Sequence, residues 1–231
     1  MIKPSNFHLA IGLPCSFPMV PFPTVLSMLQ MERPNYTLIP AVNGPVDGLR
    51  NHIVEQALLM GASHLIMMDL DQTYPVDTIP KLLAHKLPVV GCMVHRRYPP
   101  FDPLLYKGEI SKYERMVSFE DCDPEDENPE YDYKDGDLVE VDATGTGCLM
   151  FDMKVFRDMP GPWFKFRLTT DGRPVGEDFG FCSDIRKTGT KIFVDTSIKC
   201  GHLSTMEVTE GTYNLFRAMT KAQNKEKANG L

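Results

Sequence analysis

His64-Leu65-Ile66-Met67-Met68-Asp69-Leu70-Asp71 is a mostly apolar run that ends in two carboxylates one residue apart. A short continuous apolar stretch bounded by polar residues reads as a strand buried on both faces, as in a parallel sheet. The acids then sit at its carboxyl end, where open α/β sheets place their ligands. In an extended chain alternate side chains share a side, so Asp69 and Asp71 are expected to point the same way. Two converging like charges need a cation or a shared proton. A hard divalent ion, Mg²⁺ or Mn²⁺, would satisfy them. A solvated acidic turn leading into the next helix is the plainer alternative.

Working outward, the strand lies in a chain of 231 residues with ordinary apolar and charged fractions, enough for one large domain or two small ones. No apolar run approaches a membrane span, and the N-terminus lacks the basic-then-apolar pattern of a signal peptide. The six cysteines form no Cys-x-x-Cys pair and mostly stand in apolar surroundings. That usage implies reduced, buried thiols in a cytoplasmic protein and argues against a zinc site. The net charge of −7 is uneven: Phe119 to Asp137 holds ten acids and one lysine, so the remainder carries a slight positive excess. Basic residues recur at His95-Arg96-Arg97, at Lys165-Phe166-Arg167 and from Arg217 to Lys227, so an anionic partner is neither excluded nor required.

Before the central strand, Phe7 to Leu13 reads as a strand ended by Pro14, Pro23 to Gln30 as a short helix and Tyr36 to Ala41 as a second strand. A helix follows with Asp47 as its N-cap and Gly61 as its stop. After the central strand come a helix around Val76 to His85 and a strand from Val89 to Val94, which extends the strand–helix alternation and predicts a mostly parallel sheet. Beyond the extended Tyr98 to Pro103, Leu104 to Lys107 reads as a short strand and the acidic Phe119 to Asp137 as a mobile surface loop. Strands at Leu138 to Asp142 and Cys148 to Phe151 lead to a short helix ending at Asp158. A helix from Gly176 through Lys187 is closed by Gly189, Lys191 to Val194 is the last clear strand, and a helix begins near Thr209.

Several constellations admit a chemical and a plainer reading. Asp47, Arg50 and Asn51 share a helix's first turn, where N–H groups and a guanidinium attract a diphosphate; capping beside a surface arginine explains them equally. Thr144-Gly145-Thr146-Gly147 allows close backbone approach to a ligand, or forms a tight turn. Glu177 and Asp178 open a helix, where the dipole favours ionised carboxylates; one could accept a proton, or both could be ordinary helix-end acids. At such a start adjacent residues diverge by about 100°, and Asp178 shares the face of Phe181, Cys182 and Ile185, which points it inward and leaves Glu177 to cap. His202 could complete a metal site, favouring Mn²⁺ over Mg²⁺, or be structural. Trp163 could stack on a sugar or base, or belong to the core.

Taken in order, these pieces resemble a GT-A-fold glycosyltransferase of the family-2-like type, over about Phe7 to His202. Asp69-Leu70-Asp71 looks like that family's metal-binding Asp-x-Asp, Gly176-Glu177-Asp178 like its Glu-Asp motif with the second acid as base, and Gly201-His202 like its late metal-ligating histidine. Pro45 to Asn51 and Val141 to Gly147 are similar to compact phage-encoded members, some of which glycosylate hydroxymethylated pyrimidines in DNA. The Gln-x-x-Arg-Trp of processive members is absent.

The resemblance implies an α/β Rossmann-like GT-A fold: a mostly parallel central sheet flanked by helices, with a smaller acceptor-side sheet. It implies one domain over 1–231, with a nucleotide-sugar half at 1–97, an acceptor and catalytic half at 98–208, and a helix and tail at 209–231. It further implies an inverting transfer from a nucleotide-diphosphate sugar, a UDP-sugar, to an acceptor hydroxyl, with modified DNA one possible acceptor and Mn²⁺ or Mg²⁺ on Asp69, Asp71 and His202. Pro14, Asp47, Arg50, Asn51, Asp69, Leu70, Gly145, Thr146 and Gly147 would hold the donor, Asp178 and Glu177 would serve catalysis, and Trp163 the acceptor. The location implied is cytoplasmic, in a host cell if phage-encoded. A sugar-phosphate nucleotidyltransferase and an inert nucleotide-sugar-binding protein are the alternatives, although the former would carry a Gly-rich loop where Leu13 to Pro18 stands.

Overall fold

A computed structural model describes residues 7–17, 19–205, 208–215 and 217–218. In chain order its first half contains β1 (Leu9–Cys15), α1 (Phe22–Gln30), β2 (Tyr36–Val42), α2 (Val46–Leu59), β3 (His64–Met68), β4 (Gln72–Thr73), α3 (Thr78–His85) and β5 (Val89–Met93). There follow β6 (Tyr106–Glu109), β7 (Lys112–Arg115), β8 (Leu138–Val141), β9 (Cys148–Asp152) and α4 (Lys154–Arg157). The last elements are β10 (Arg167–Leu168), β11 (Pro174–Val175), α5 (Glu177–Lys187), β12 (Ile192–Lys199) and β13 (Gly201–His202).

The predicted mixed α/β architecture is the one observed. Among the described residues a seven-stranded sheet runs β2-β1-β3-β9-β5-β12-β8. β1 is parallel to β2 and β3, and β5 is parallel to β12, whereas β9 and β8 run antiparallel to their neighbours. Helices flank the sheet, and the pairs β6–β7, β10–β11 and β4–β13 form small side sheets.

β3 lies between β1 and β9, and its alternate residues enter separate cores. Leu65 and Met67 pack in the cluster that contains Ile53 and Val54 of α2 and Phe181 of α5. Ile66 and Met68 pack with Ile79 and Leu82 of α3. This two-sided burial is what the uninterrupted apolar run encodes, each such side chain contributing about 1.5–3 kcal/mol on leaving water. Gly61, with φ of +70°, ends α2 as expected, because a left-handed turn suits a residue without Cβ.

Five expectations change. Pro14 lies inside β1, opposite Ala41. Pairing to β3 ends at Gly12, so proline's missing donor falls where β1 has a free side. Asp47 does not cap α2: Pro45 holds that position and Asp47 lies in the first turn. The strand expected at Leu104 is β6, starting at Tyr106, and the last long strand continues to Lys199. The acidic segment is tied down. Asp132 accepts from Val117 N (2.7 Å) and Lys107 Nζ (2.6 Å), Tyr133 is buried, and Lys134 Nζ lies over the rings of Phe119 (4.5 Å) and Tyr131 (5.2 Å). A few aromatic anchors and paired carboxylates thus do what its average composition did not suggest. Residues 210–215 and 217–218 are helical, in line with the helix expected near Thr209; most of the expected tail lies outside the described residues.

β9 sits between β3 and β5 although it comes from much later in the chain. Its antiparallel direction puts its first residue, Cys148, opposite Met68, at the carboxyl end of β3. The loop 144–147 is thereby delivered beside Asp69.

Candidate functional site

β3 ends at Met68, so Asp69 and Asp71 lie on the turn leading to β4. The alternation rule does not reach them, and their carboxylates take different partners. Arg50, buried in the first turns of α2, donates from Nη2 to Asp69 Oδ1 and Oδ2 (2.9 and 3.1 Å) and from Nη1 to Glu177. Burial opposes the guanidinium charge, but Asp69, Glu177 and Asp178 outweigh it and raise its pKa. This corrects the reading of Arg50 as a diphosphate ligand, since both its terminal nitrogens are committed to carboxylates.

Asp71 faces elsewhere. Its Oδ2 accepts from Arg97 Nη1 (2.8 Å) and lies 3.5 Å from His202 Nε2. The two-residue ribbon of β4 with β13, pairing Gln72 with His202, brings the histidine there. His202 Nδ1 donates to the carbonyl of His95 (2.7 Å), because a carbonyl can only accept. In the neutral ring Nε2 therefore presents its lone pair to a carboxylate oxygen. Two acceptors face to face call for a proton or a cation, and a hydrogen bond to the far nitrogen is the usual way of orienting a metal-binding imidazole. Burial disfavours the Asp71 charge, yet His202 and Arg97 more than compensate and hold its carboxyl below the ordinary range. Asp71 and His202 thus fit a divalent ion as a pair; Asp69, held by Arg50, does not converge with them.

The loop from Thr144 to Gly147 packs against these acids. A Cβ on Gly147 would lie 2.0 Å from Gln72 Nε2 and 2.9 Å from Asp69 Oδ2, so any side chain here would have to displace Gln72 and Asp69. Its carbonyl accepts from Asp69 N (2.8 Å) and from the Tyr74 hydroxyl (3.2 Å). The close approach predicted for a ligand is here an approach to protein side chains. Among the described residues, Thr146 Oγ1 and the Oε1 of Gln72 are buried without hydrogen-bond partners, so two acceptors at this corner have unused capacity, as has Asp47 Oδ1 in α2. Leu70 follows Asp69 in the same turn, and Pro14 lies at the carboxyl end of β1.

α5 starts at Glu177, and its two acids take different surroundings. Glu177 is 6% exposed and turned onto Arg50, with no capping bond. Asp178 lines a cavity of about 540 Å³ shared with Arg96, Tyr106, Tyr113, Arg173 and Phe179. Its Oδ2 would lie 3.9 Å from a Cβ on Gly145, which puts that glycine beside it. Burial and the Glu177 charge push the Asp178 carboxyl up to about 6, against Arg50 and the N–H of Phe179. The helix dipole, expected to keep the pKa low, is overruled by desolvation.

Two further expectations fall on structural residues. Asn51 Oδ1 accepts from Trp163 N (2.8 Å) and Phe164 N (3.0 Å), while its Nδ2 donates to Asp47 O (2.9 Å) and Phe164 O (2.7 Å). Its amide is saturated by tacking a distant loop onto α2. Trp163 is 8% exposed, packs edge-on against Phe156 and donates its indole N–H to Met159 O (2.8 Å). It belongs to the core and has no face free for an acceptor. Sequence reasoning missed Tyr74 and Arg97, although the His95-Arg96-Arg97 cluster was a visible signal for the latter.

No protein-family model matches the chain, and no curated protein does. Solved structures do. A197 from STIV aligns over 86% of this chain and 86% of its own, at 16% identity and a TM-score of 0.55. GalNAc-T7, solved with UDP, GalNAc and Mn²⁺, aligns over 87% of this chain at 12% identity and a TM-score of 0.58. The chain spans 44% of the length of GalNAc-T7. Identities this low speak to fold, and they bear out the GT-A architecture. No described helix is long and apolar enough to cross a membrane.

Proposed function

We propose that this chain transfers a sugar from a nucleotide-diphosphate sugar, a UDP-sugar, to an acceptor hydroxyl with inversion at the anomeric carbon. The observation that carries the reading is Asp178: a carboxyl held near 6, in the wall of a cavity, next to the Arg50–Asp69–Glu177 cluster. A general base works best with a pKa close to the operating pH, and this one is ionised at neutrality yet still basic enough to take a proton. The shared fold with GalNAc-T7, solved with UDP, GalNAc and Mn²⁺, is consistent with it.

In this reading the acceptor enters the cavity, where Tyr106, Tyr113 and Phe179 offer apolar faces and Arg96 and Arg173 positive charge. Asp178 takes the hydroxyl proton as the acceptor oxygen attacks the anomeric carbon and the bond to the diphosphate breaks. Asp71 and His202 would hold a divalent ion, Mn²⁺ or Mg²⁺, which when bound neutralises the leaving diphosphate. Arg50 fixes Asp69 and Glu177, and through them the walls between the two halves of the site. Hydroxymethylated DNA is one acceptor the cavity's cations would suit, in a cytoplasmic setting. Incubation with UDP-sugars and Mn²⁺, with and without such DNA, and measurement of released UDP tests the reading. UDP released by the wild type but not by Asp178→Asn supports it. No release, or release that EDTA leaves unchanged, overturns the transfer or the metal respectively.

A further inference from the structure

Three sulfur atoms that this reaction does not use meet under the carboxylates. Cys92 lies in β5, Cys148 opens β9, and Cys200 falls between β12 and β13. The β5–β9 register, ending at Gly91 opposite Leu149, sets Cys92 across from Cys148. Cys200 is fixed by its N–H bond to Met93 O (2.9 Å). The sulfurs of Cys92 and Cys148 are 3.1 Å apart, and all three lie within 4.8 Å of one another. Each residue is 6% exposed or less, and none is in a disulfide. The surrounding side chains are apolar, Met68, Met150 and Ile198 among them.

We propose that Cys92, Cys148 and Cys200 form a three-sulfur site for a soft, thiophilic metal ion, best matched by Cu⁺. Thiolates select soft ions, while oxygen-seeking Mg²⁺ and Mn²⁺ avoid them. Sulfurs bound at about 2.3 Å to a common ion sit roughly 3.8–4.0 Å apart, so the observed spacing needs only small side-chain adjustments. Zn²⁺ in a closed site takes four ligands. Among the described residues no imidazole or carboxylate joins the three sulfurs, which suits a three-coordinate monovalent ion instead. The strands hold the ligands in place before the ion arrives, and each thiol that becomes a thiolate releases one proton to solvent. No Cys-x-x-Cys spacing marks the site, because its ligands come from two strands and from the link after a third.

The test is anaerobic titration of the reduced full chain with Cu⁺ against a chromophoric Cu⁺ chelator. One equivalent should bind with a sulfur-to-copper charge-transfer band. X-ray absorption of the loaded wild type should show a shell of three sulfurs. Replacing any of Cys92, Cys148 or Cys200 by Ser should weaken binding by about tenfold or more, whereas Cys15→Ser, Cys122→Ser and Asp71→Asn should leave it unchanged. Failure of the reduced wild type to compete with the chelator overturns the proposal. So does a copper shell of nitrogen or oxygen, or binding that follows Cys15 or Cys122, and these readouts do not depend on the buried variants folding.

Discussion

Of the two acid pairs, one lies on the turn leaving β3 and the other on the first turn of α5, and Arg50 takes one carboxylate from each. Glu177 is thereby held inside the fold with the half-buried Asp69 beside the same cation, while Asp71 and Asp178 meet other surroundings. Asp71 meets Arg97 and His202, which hold its carboxyl below the ordinary range; Asp178, with no cation bonded to it among the described residues, is pushed up to about 6. Two carboxylates of the same chemistry thus acquire different charge behaviour from their neighbours alone, a pattern that separates a permanent anion from a proton acceptor.

The comparison breaks most completely at its shared member. Arg50→Met should leave the buried Glu177 and the half-buried Asp69 without their cation and destabilise the fold by about 3–5 kcal/mol, read from urea unfolding. Destabilisation under about 1 kcal/mol would mean that the triad contributes little.

Asp178→Asn should lower turnover by about 10²–10⁴ while nucleotide-sugar binding persists. The sign of its stability effect is opposite to that of Arg50→Met. The unfolded chain ionises Asp178 near 4 and the native chain near 6, so wild-type stability falls as pH rises between those values. At pH 7 the asparagine variant should be more stable, by about 1–2 kcal/mol after solvent screening. Activity should rise over the same interval as the base ionises. A pH–rate profile flat from 4 to 7 would remove Asp178 from the role.

Gly147→Ala sharpens the comparison from the Asp69 side. Its methyl group would overlap Gln72 and press on Asp69, costing about 1–3 kcal/mol in thermal or urea unfolding. Smallest is Trp163→Phe, which removes one hydrogen bond to Met159. About 1 kcal/mol of stability should go with turnover unchanged; a large loss of acceptor affinity would return Trp163 to the acceptor site.

What could be read in the sequence followed the range of the interactions. β3 was legible because two-sided burial leaves an unbroken apolar run, and α2 because its apolar spacing and Gly61 are local. Asp178 was legible as an acid at the start of α5, but its raised pKa was not. Its pKa comes from the cavity wall and from Glu177 instead of the helix dipole. Arg50 and Asn51 were read from their place at a helix start, whereas their partners Glu177 and Phe164 are 127 and 113 residues away. Asp69 and Asp71 were read as a continuing strand because nothing in the two residues signals that β3 stops at Met68. The cysteines carry no spacing code at all, being neighbours only across strands.

The ribbon of β4 and β13 gives the molecule an order of assembly. Asp71 leaves the ribosome long before His202, and the imidazole can reach it only after β12 has docked and the chain has turned back through Gly201. A nascent chain can therefore hold β3 and Asp71 while the histidine that meets Asp71 is still to come. The contact of His202 with Asp71, and the ribbon that carries it, thus form only when synthesis has passed residue 202.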